Sequence, residues 1–502
     1  MSGERGIYTR EENMNTSAVT VLRPLTRNEK TGYVVIRLFS AYTFRCLCIH
    51  CPEVMLVSAL FSAVPILLFG VGIFYLFRLR FFYVLHPIRC FRLLFSGERR
   101  GGISPFRALT VALAGTLGVG NIVGVASALC LGGAGAVFWM LVSALVAMVL
   151  KYAEITLALR HRPAPTRDGQ PTGGAPYYME AGLSGRGLPK AGKICGGIFA
   201  VLCQLNAVTM GSFLQVNAVA GAMETGFSLP PLWVGIAVTA VALLATLGGA
   251  KGISAVTEKL VPFMTVGFLI LCVAVLFLRR ERIPDALSSI LRDAFTPAAA
   301  GGGIVGFLTS AGVRMGVMRG LVSNEAGCGT APAAHATAEV DLPARQGLFG
   351  LVEVFVDTVL LCTVTALAIL VSDSGAPLGE TNAVAVASDA FSSVLGDFAG
   401  WFFSLSILLF GVATVICWAH YGKTCLSYLT ARLSPAARRT VTGIYSVLFS
   451  LSPLAGAMAS PTLAWTLADV AIALMTLLNL GVLLLMAGEV KEETDILLGQ
   501  KR

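Results

Sequence analysis

The chain has 502 residues, 56% hydrophobic and 13% charged, with a mean hydropathy of +0.78. Soluble proteins carry roughly 25% charged residues, so this composition excludes an ordinary soluble enzyme and indicates a polytopic, all-α membrane protein built as one integrated domain. The net charge of +9 sits in loops, where it reads as an orientation signal and not as a nucleic-acid surface, and the twelve cysteines, scattered through apolar segments, read as reduced packing residues.

Residues 1–54 are mixed polar and basic and are expected to form a poorly ordered or peripheral extension. The first apolar stretch starts too late for a cleavable signal peptide. Cys46, Cys48, His50 and Cys51 have the residue types for zinc. No second ligand pair follows at finger spacing, so packing is the favoured reading. Eleven apolar spans follow, near 55–77, 105–131, 135–159, 194–224, 232–248, 256–279, 299–322, 346–371, 399–428, 437–457 and 465–488. Segment 78–107 holds seven Lys/Arg and segment 160–193 six, whereas the 372–398 loop holds none. The positive-inside rule places 78–107, 160–193, 323–345, 429–439 and the C-terminal tail (489–502) in the cytoplasm of a multi-pass plasma or inner membrane protein. The basic N-terminal segment and Arg280, Arg282 and Arg292 of the 280–298 loop run against that assignment.

The 105–131 span is interrupted at its centre by Ala114-Gly115-Thr116-Leu117-Gly118-Val119-Gly120-Asn121-Ile122-Val123-Gly124. Glycine is a poor helix former. An unwound backbone at membrane depth is tolerated only where it is buried in protein or lines a cavity. The alternative is glycines that only let helices pack closely. A second glycine-rich stretch, Gly301 to Gly316, lies five spans later. Two interrupted helices at corresponding places point to an inverted-repeat transporter of two five-helix halves, 103–279 and 297–488, with 55–77 as an extra helix in front. Because five is odd, the halves enter the membrane in opposite senses.

In such a break, the amides of Gly120 and Asn121 suit a carboxylate. The carbonyls of Ala114, Thr116 and Leu117, with the Asn121 side chain, suit a small cation. Gln215 and Asn217 are costly to bury unless bonded, and serve either a ligand or helix-to-helix bonding. Thr414 and Trp418 share a helix face. Glu353 and Asp357 are intramembrane carboxylates, which suggest proton or ion coupling by default. A structural pairing with Arg314 or Arg319 is the slightly favoured reading. Lys151 and Glu154 are expected to pair with each other. No GxxxxGK[ST], GxSxG or HExxH motif is present, so no enzyme is indicated.

Gly118 to Ala126, Gly132 to Met140, the long block Arg319 to Pro332 containing Ser323-Asn324-Glu325-Ala326-Gly327, then His335-Ala336, Pro343 to Leu348 and Trp418 to Gly422 resemble the alanine or glycine:cation symporter family, from about residue 58 to 488. The resemblance implies a leucine-transporter-type fold and a sodium-driven importer of small neutral amino acids such as alanine and glycine, with Na+ as coupling ion and no cofactor. Proton coupling is the alternative. It implies substrate contacts at Thr116, Gly118, Gly120, Asn121, Gln215, Trp418 and the backbone from Thr309 to Gly312. It further implies sodium ligands at Ala114, Leu117 and Thr414, with Thr116 and Asn121 at a second site. Ala413 stands where the family usually has a hydroxyl residue, and Lys423 where it usually has Glu.

Overall fold

The computed structural model describes residues 52–95, 104–163, 173–247, 250–295 and 310–500. The N-terminal extension up to Cys51, with its Cys/His cluster, and the stretch from Gly301 to Thr309 lie outside the described residues.

The architecture is all-α and polytopic, as the bilayer demands of a chain whose backbone must satisfy its own hydrogen bonds. Fourteen of its helices matter here. α1 is Pro52–Arg78. The first five-helix set comprises α2 (Pro105–Thr116) and α3 (Val123–Gly132), α4 (Gly135–Arg160), α5 (Pro189–Val208) and α6 (Gln215–Phe227), α7 (Pro231–Leu247) and α8 (Ala250–Leu278). The second comprises α9 (Ala311–Asn324), α10 (Pro343–Val354) and α11 (Thr363–Val371), α12 (Asp397–Leu429), α13 (Pro435–Ala457) and α14 (Pro461–Leu497). Ser-Pro pairs start three of them. Ser104, Ser434 and Ser460 accept from the amides of Arg107, Ala437 and Leu463 at 3.2–3.3 Å, while the proline fills the first helical position.

Among the described residues, eight helices are long and apolar enough to cross a membrane. The other three predicted spans fall short for separate reasons. One is broken into α2 and α3, one is the 17-residue α7, and one is only partly described. The loops hold more helix than expected: Pro87–Leu94, Ala175–Ser184, Ile283–Ala294 and Ala383–Leu395 all lie in segments read as connections. They are too short to register as spans.

Helix pairing follows the repeat. α3 packs on α9, α4 on α10, α5 and α6 on α12, and α7 on α13. Each pair joins corresponding members of the two sets. The cross-contacts match as well: α8 packs on α12, and its counterpart α14 on α5. Two helices depart from α geometry. A π-helical segment, Thr209–Leu214, joins α5 to α6, and another, Phe355–Cys362, joins α10 to α11. Such widened turns are frequent at functional sites.

Candidate functional site

α2 ends at Thr116 and the chain leaves the helix at Leu117 (ψ 79°). Gly118 is extended, a single tight turn covers Val119–Asn121, and α3 begins at Val123. The expected break is therefore present, and the side chain of Asn121 helps make it. Its Oδ1 accepts from the amide of Gly118 at 3.0 Å, in competition with the helical pattern. Gly118 is needed for a second reason. A Cβ there would lie 2.7 Å from Thr414 Oγ1 and 2.8 Å from Gln215 Oε1, so α6 and α12 close in on the bare backbone.

On this side the break meets neutral polar groups. Thr414 Oγ1 donates to Ala114 O (3.2 Å), and Gln215 Oε1 accepts from the amide of Val119 (3.0 Å). Gln215 Nε2 donates to Met210 O, inside the π-helical segment (3.0 Å). The amides of Val119 and Gly120 open the second half-helix and have no intrahelical acceptor to reach. Trp418 is fully buried, and its ring lies where a side chain on Gly211 would be. Its Nε1 has no hydrogen-bond partner among the described residues. A buried indole N–H usually finds a hydrogen-bond acceptor, so this one stands out.

The opposite side carries charge. Asn121 Nδ2 donates to Ser323 Oγ (2.8 Å) and to Asp357 Oδ1. Asp357 Oδ2 accepts from Ser323 Oγ (2.8 Å) and Thr358 Oγ1 (2.6 Å). Thr116 Oγ1 donates to Glu353 Oε1 (3.3 Å), and Glu353 pairs with Lys151 Nζ at 2.7 Å. His335 Nε2 lies 3.1 Å from Glu353 Oε2. Lys151 Nζ also donates to Asn324 O (2.6 Å). All these side chains are buried. The Ser-Asn-Glu-Ala-Gly block that carries the resemblance is thus a buried junction. Glu154 accepts from Gly329 N and Asn479 Nδ2, and Asn479 Nδ2 donates to Gly327 O as well.

Three sequence expectations need correction. Lys151 does not pair with Glu154. Three residues apart on one helix, they diverge to different neighbours, Lys151 to α10 and Glu154 to the 327–329 turn and α14. Glu353 and Asp357 do not pair with Arg314 or Arg319. Arg319 instead makes a two-point bond to Asp469 (2.6 and 3.0 Å) and stacks over Trp465. The part of α9 that faces the break is not Gly312. A Cβ on Gly312 would lie against Gly132 O at the far end of α3, whereas Gly120 faces Val322 O and Ser323. The two helices run side by side, so only one turn of α9 can reach the break. Thr309 lies outside the described residues. Asn217 donates to Gly456 O (3.0 Å) and Ala459 O (2.7 Å), which is helix-to-helix bonding.

Ala114, Thr116, Leu117, Gly118, Gly120, Asn121, Gln215, Thr414 and Trp418 are brought into one neighbourhood. Ser323, Thr358, Lys151 and His335 were not singled out for it by sequence reading. Ser323 and His335 had a signal in their place within stretches that carry the resemblance, and Lys151 in being a charge inside an apolar span, but Thr358 had none without the fold.

Comparison with known proteins agrees with this architecture. The sodium:alanine symporter family matches residues 52–502. A sodium/alanine symporter, AgcS, of Methanococcus maripaludis is 37% identical over 434 residues, 86% of this chain and 92% of that protein. A probable sodium/glutamine symporter, GlnT, of Bacillus subtilis is 34% identical over 418 residues, 83% of each. A putative sodium/proton-dependent alanine carrier, YrbD, of the same organism is 30% identical over 449 residues, 86% and 89% of the two chains. The chain is a membrane transporter, not an enzyme, and it belongs to the sodium:alanine symporter family.

Proposed function

We propose that the protein imports small neutral amino acids, alanine and glycine first among them, by coupling their entry to sodium through alternating access. The observation that carries this reading is the broken helix flanked by Thr414 and Gln215. Two oxygens, Ala114 O and Thr414 Oγ1, stand 3.2 Å apart. A hard cation that holds oxygens at roughly 2.3–2.6 Å, as Ca2+ of similar radius does, sets adjacent ligands about that far apart. The Thr414 hydroxyl needs only to turn its proton away from Ala114 to offer a lone pair. The Leu117 carbonyl, at the residue where α2 ends, is the next ligand. The substrate carboxylate takes the Val119 and Gly120 amides once Gln215 swings aside, at the positive end of the half-helix dipole. Trp418, four residues beyond Thr414 on α12, offers an Nε1 with no partner among the described residues as a further donor to the substrate. Asn121, held by Ser323 and Asp357, positions the turn and belongs to the second sodium site.

A proton-coupled reading keeps one observation in its favour, since Asp357 is a buried carboxylate bonded to Asn121 at the break. Labelled alanine uptake into proteoliposomes separates the two. Accumulation above equilibrium that requires an inward sodium gradient is the expected result. Accumulation in choline that follows an inward proton gradient would move the coupling to Asp357.

A further inference from the structure

The chain leaves α1 through a turn that transport does not explain. Arg80 and Phe81 both stand in left-handed backbone, with φ 55° and 50°. L side chains seldom adopt that conformation, and two in succession reverse the chain sharply. The reversal leads into two short helices, Phe82–Leu85 and Pro87–Leu94. The second is strongly two-faced. Cys90 is buried, and this side packs on α10, while Arg89 Nη2 donates to Leu498 O just beyond α14 (2.5 Å). The other side leaves Ile88 and Phe91 68% and 62% exposed, with Leu85 and Phe95 equally bare beside it. Large apolar side chains this open, directly after a membrane span, belong in the lipid interface.

A cavity of about 250 Å³ opens between this hairpin and the end of α14. Arg78, Arg80, His86 and Lys491 line it. The carboxylate in its wall, Asp495, already bonds Lys491 at 2.7 Å. Arg92 lines a second hollow next to it, with His86 and Arg89. Arg78, Arg80 and Arg92 are exposed and form no ion pair among the described residues. Three uncompensated guanidinium groups therefore stand at the edge of the apolar face. Guanidinium groups favour phosphate through paired, charge-assisted hydrogen bonds.

We propose that this hollow binds the headgroup of an anionic phospholipid. Arg78 and Arg80 hold the phosphate, and Leu85, Ile88 and Phe91 lie along the acyl chains. The lipid then bridges α1 to the C-terminal end of α14.

The test uses the full chain, purified and stripped of lipid in neutral detergent. Phosphatidylglycerol and phosphatidylcholine of identical acyl chains are titrated in, and bound lipid per protein is counted by native mass spectrometry. Phosphatidylglycerol is expected to bind at least about tenfold more tightly. The double variant Arg78→Gln/Arg80→Gln is expected to lose about that factor, while Lys190→Gln, an exposed cation elsewhere, keeps it. Glycerol phosphate at the same concentration should not compete, since the acyl chains contribute to binding. Equal binding of the two lipids to the wild type would overturn the proposal. So would wild-type phosphatidylglycerol affinity in a double variant that elutes as a folded monodisperse species, or full competition by glycerol phosphate. Should the double variant not elute so, the two-lipid comparison and its weakening by salt on the wild type decide the matter.

Discussion

Gly118 is a residue at which the site leaves no room for a side chain. Even a methyl group there would press on Thr414 Oγ1 and Gln215 Oε1 at 2.7 and 2.8 Å. Gly118→Ala is therefore expected to cut alanine uptake at least about tenfold, since Thr414 is proposed to hold sodium and Gln215 to move aside for the substrate carboxylate. Gly197, on α5, has open space where its Cβ would be, and Gly197→Ala should transport normally at equal expression. At Gly120 a Cβ meets only backbone, Val322 O at 3.3 Å and Ser323 Cα at 3.4 Å. A methyl is nearly accommodated there and a branched side chain is not. Gly120→Val is expected to abolish uptake while the protein still reaches the membrane, with cell-surface labelling as the check. Wild-type transport in that variant would remove Gly120 from the site. Thr414→Ala should raise the sodium concentration for half-maximal uptake by roughly three- to tenfold, the worth of one lost oxygen ligand. An unchanged sodium dependence would take Thr414 out of the ion site. Ala413, where a hydroxyl residue was expected from the resemblance, is buried on the same helix and offers no such oxygen.

At the scale of elements, the break is held from behind by charge. Lys151 on α4 and Glu353 on α10 pair at 2.7 Å with both side chains fully buried, and Thr116 at the end of α2 donates to the same carboxylate. Removing one partner strands the other charge in a dry interior, which costs about 3–5 kcal/mol. Lys151→Met is expected to lower the thermal midpoint of the purified protein markedly. The double variant Lys151→Met/Glu353→Gln should recover part of the loss, because no unpaired charge remains. A single variant as stable as wild type would show the pair to be dispensable for the fold. This pair was not legible in the sequence. The spacing of Lys151 and Glu154 suggested a local bond, but packing turned each toward a different neighbour. Which of the buried carboxylates Glu154, Glu325, Glu353, Asp357 and Asp469 a buried lysine meets is decided by helix packing, and no one-dimensional pattern records it. The Ser-Pro helix starts and the broken first helix were legible, since they arise from local backbone chemistry. The extra helices of the loops were passed over because a reading tuned to membrane-length runs sees only long ones.

For the whole molecule, the transport reading demands that sodium stabilise the folded state. A ligand at a hundred times its dissociation constant adds about 2.7 kcal/mol. In the absence of substrate, replacing choline chloride by sodium chloride at equal ionic strength should raise the thermal midpoint in a saturable manner. Adding alanine with sodium should raise it further than either alone, since coupling between two bound ligands is reciprocal. Alanine stabilisation that is indifferent to sodium would argue for the proton. The pairing of α3 with α9, α4 with α10, α5 and α6 with α12, and α7 with α13 gives this coupling a frame. Both halves contribute to each wall of the break, the neutral one from α6 and α12 and the charged one from α4, α9 and α10.

The sequence by itself determined the membrane class, the helical architecture, the place of the first break and the five-plus-five plan, because hydropathy and glycine spacing act along the chain. It also marked the Ser-Asn-Glu-Ala-Gly block as something particular. Only the tertiary structure decided that Asp357 and Ser323 hold Asn121, that Val322 and Ser323 rather than Gly312 face Gly120, and that Lys151 belongs to Glu353. These residues are separated by tens to hundreds of positions. Their meeting depends on which turn of one buried helix lies against which turn of another, and packing at close range fixes that.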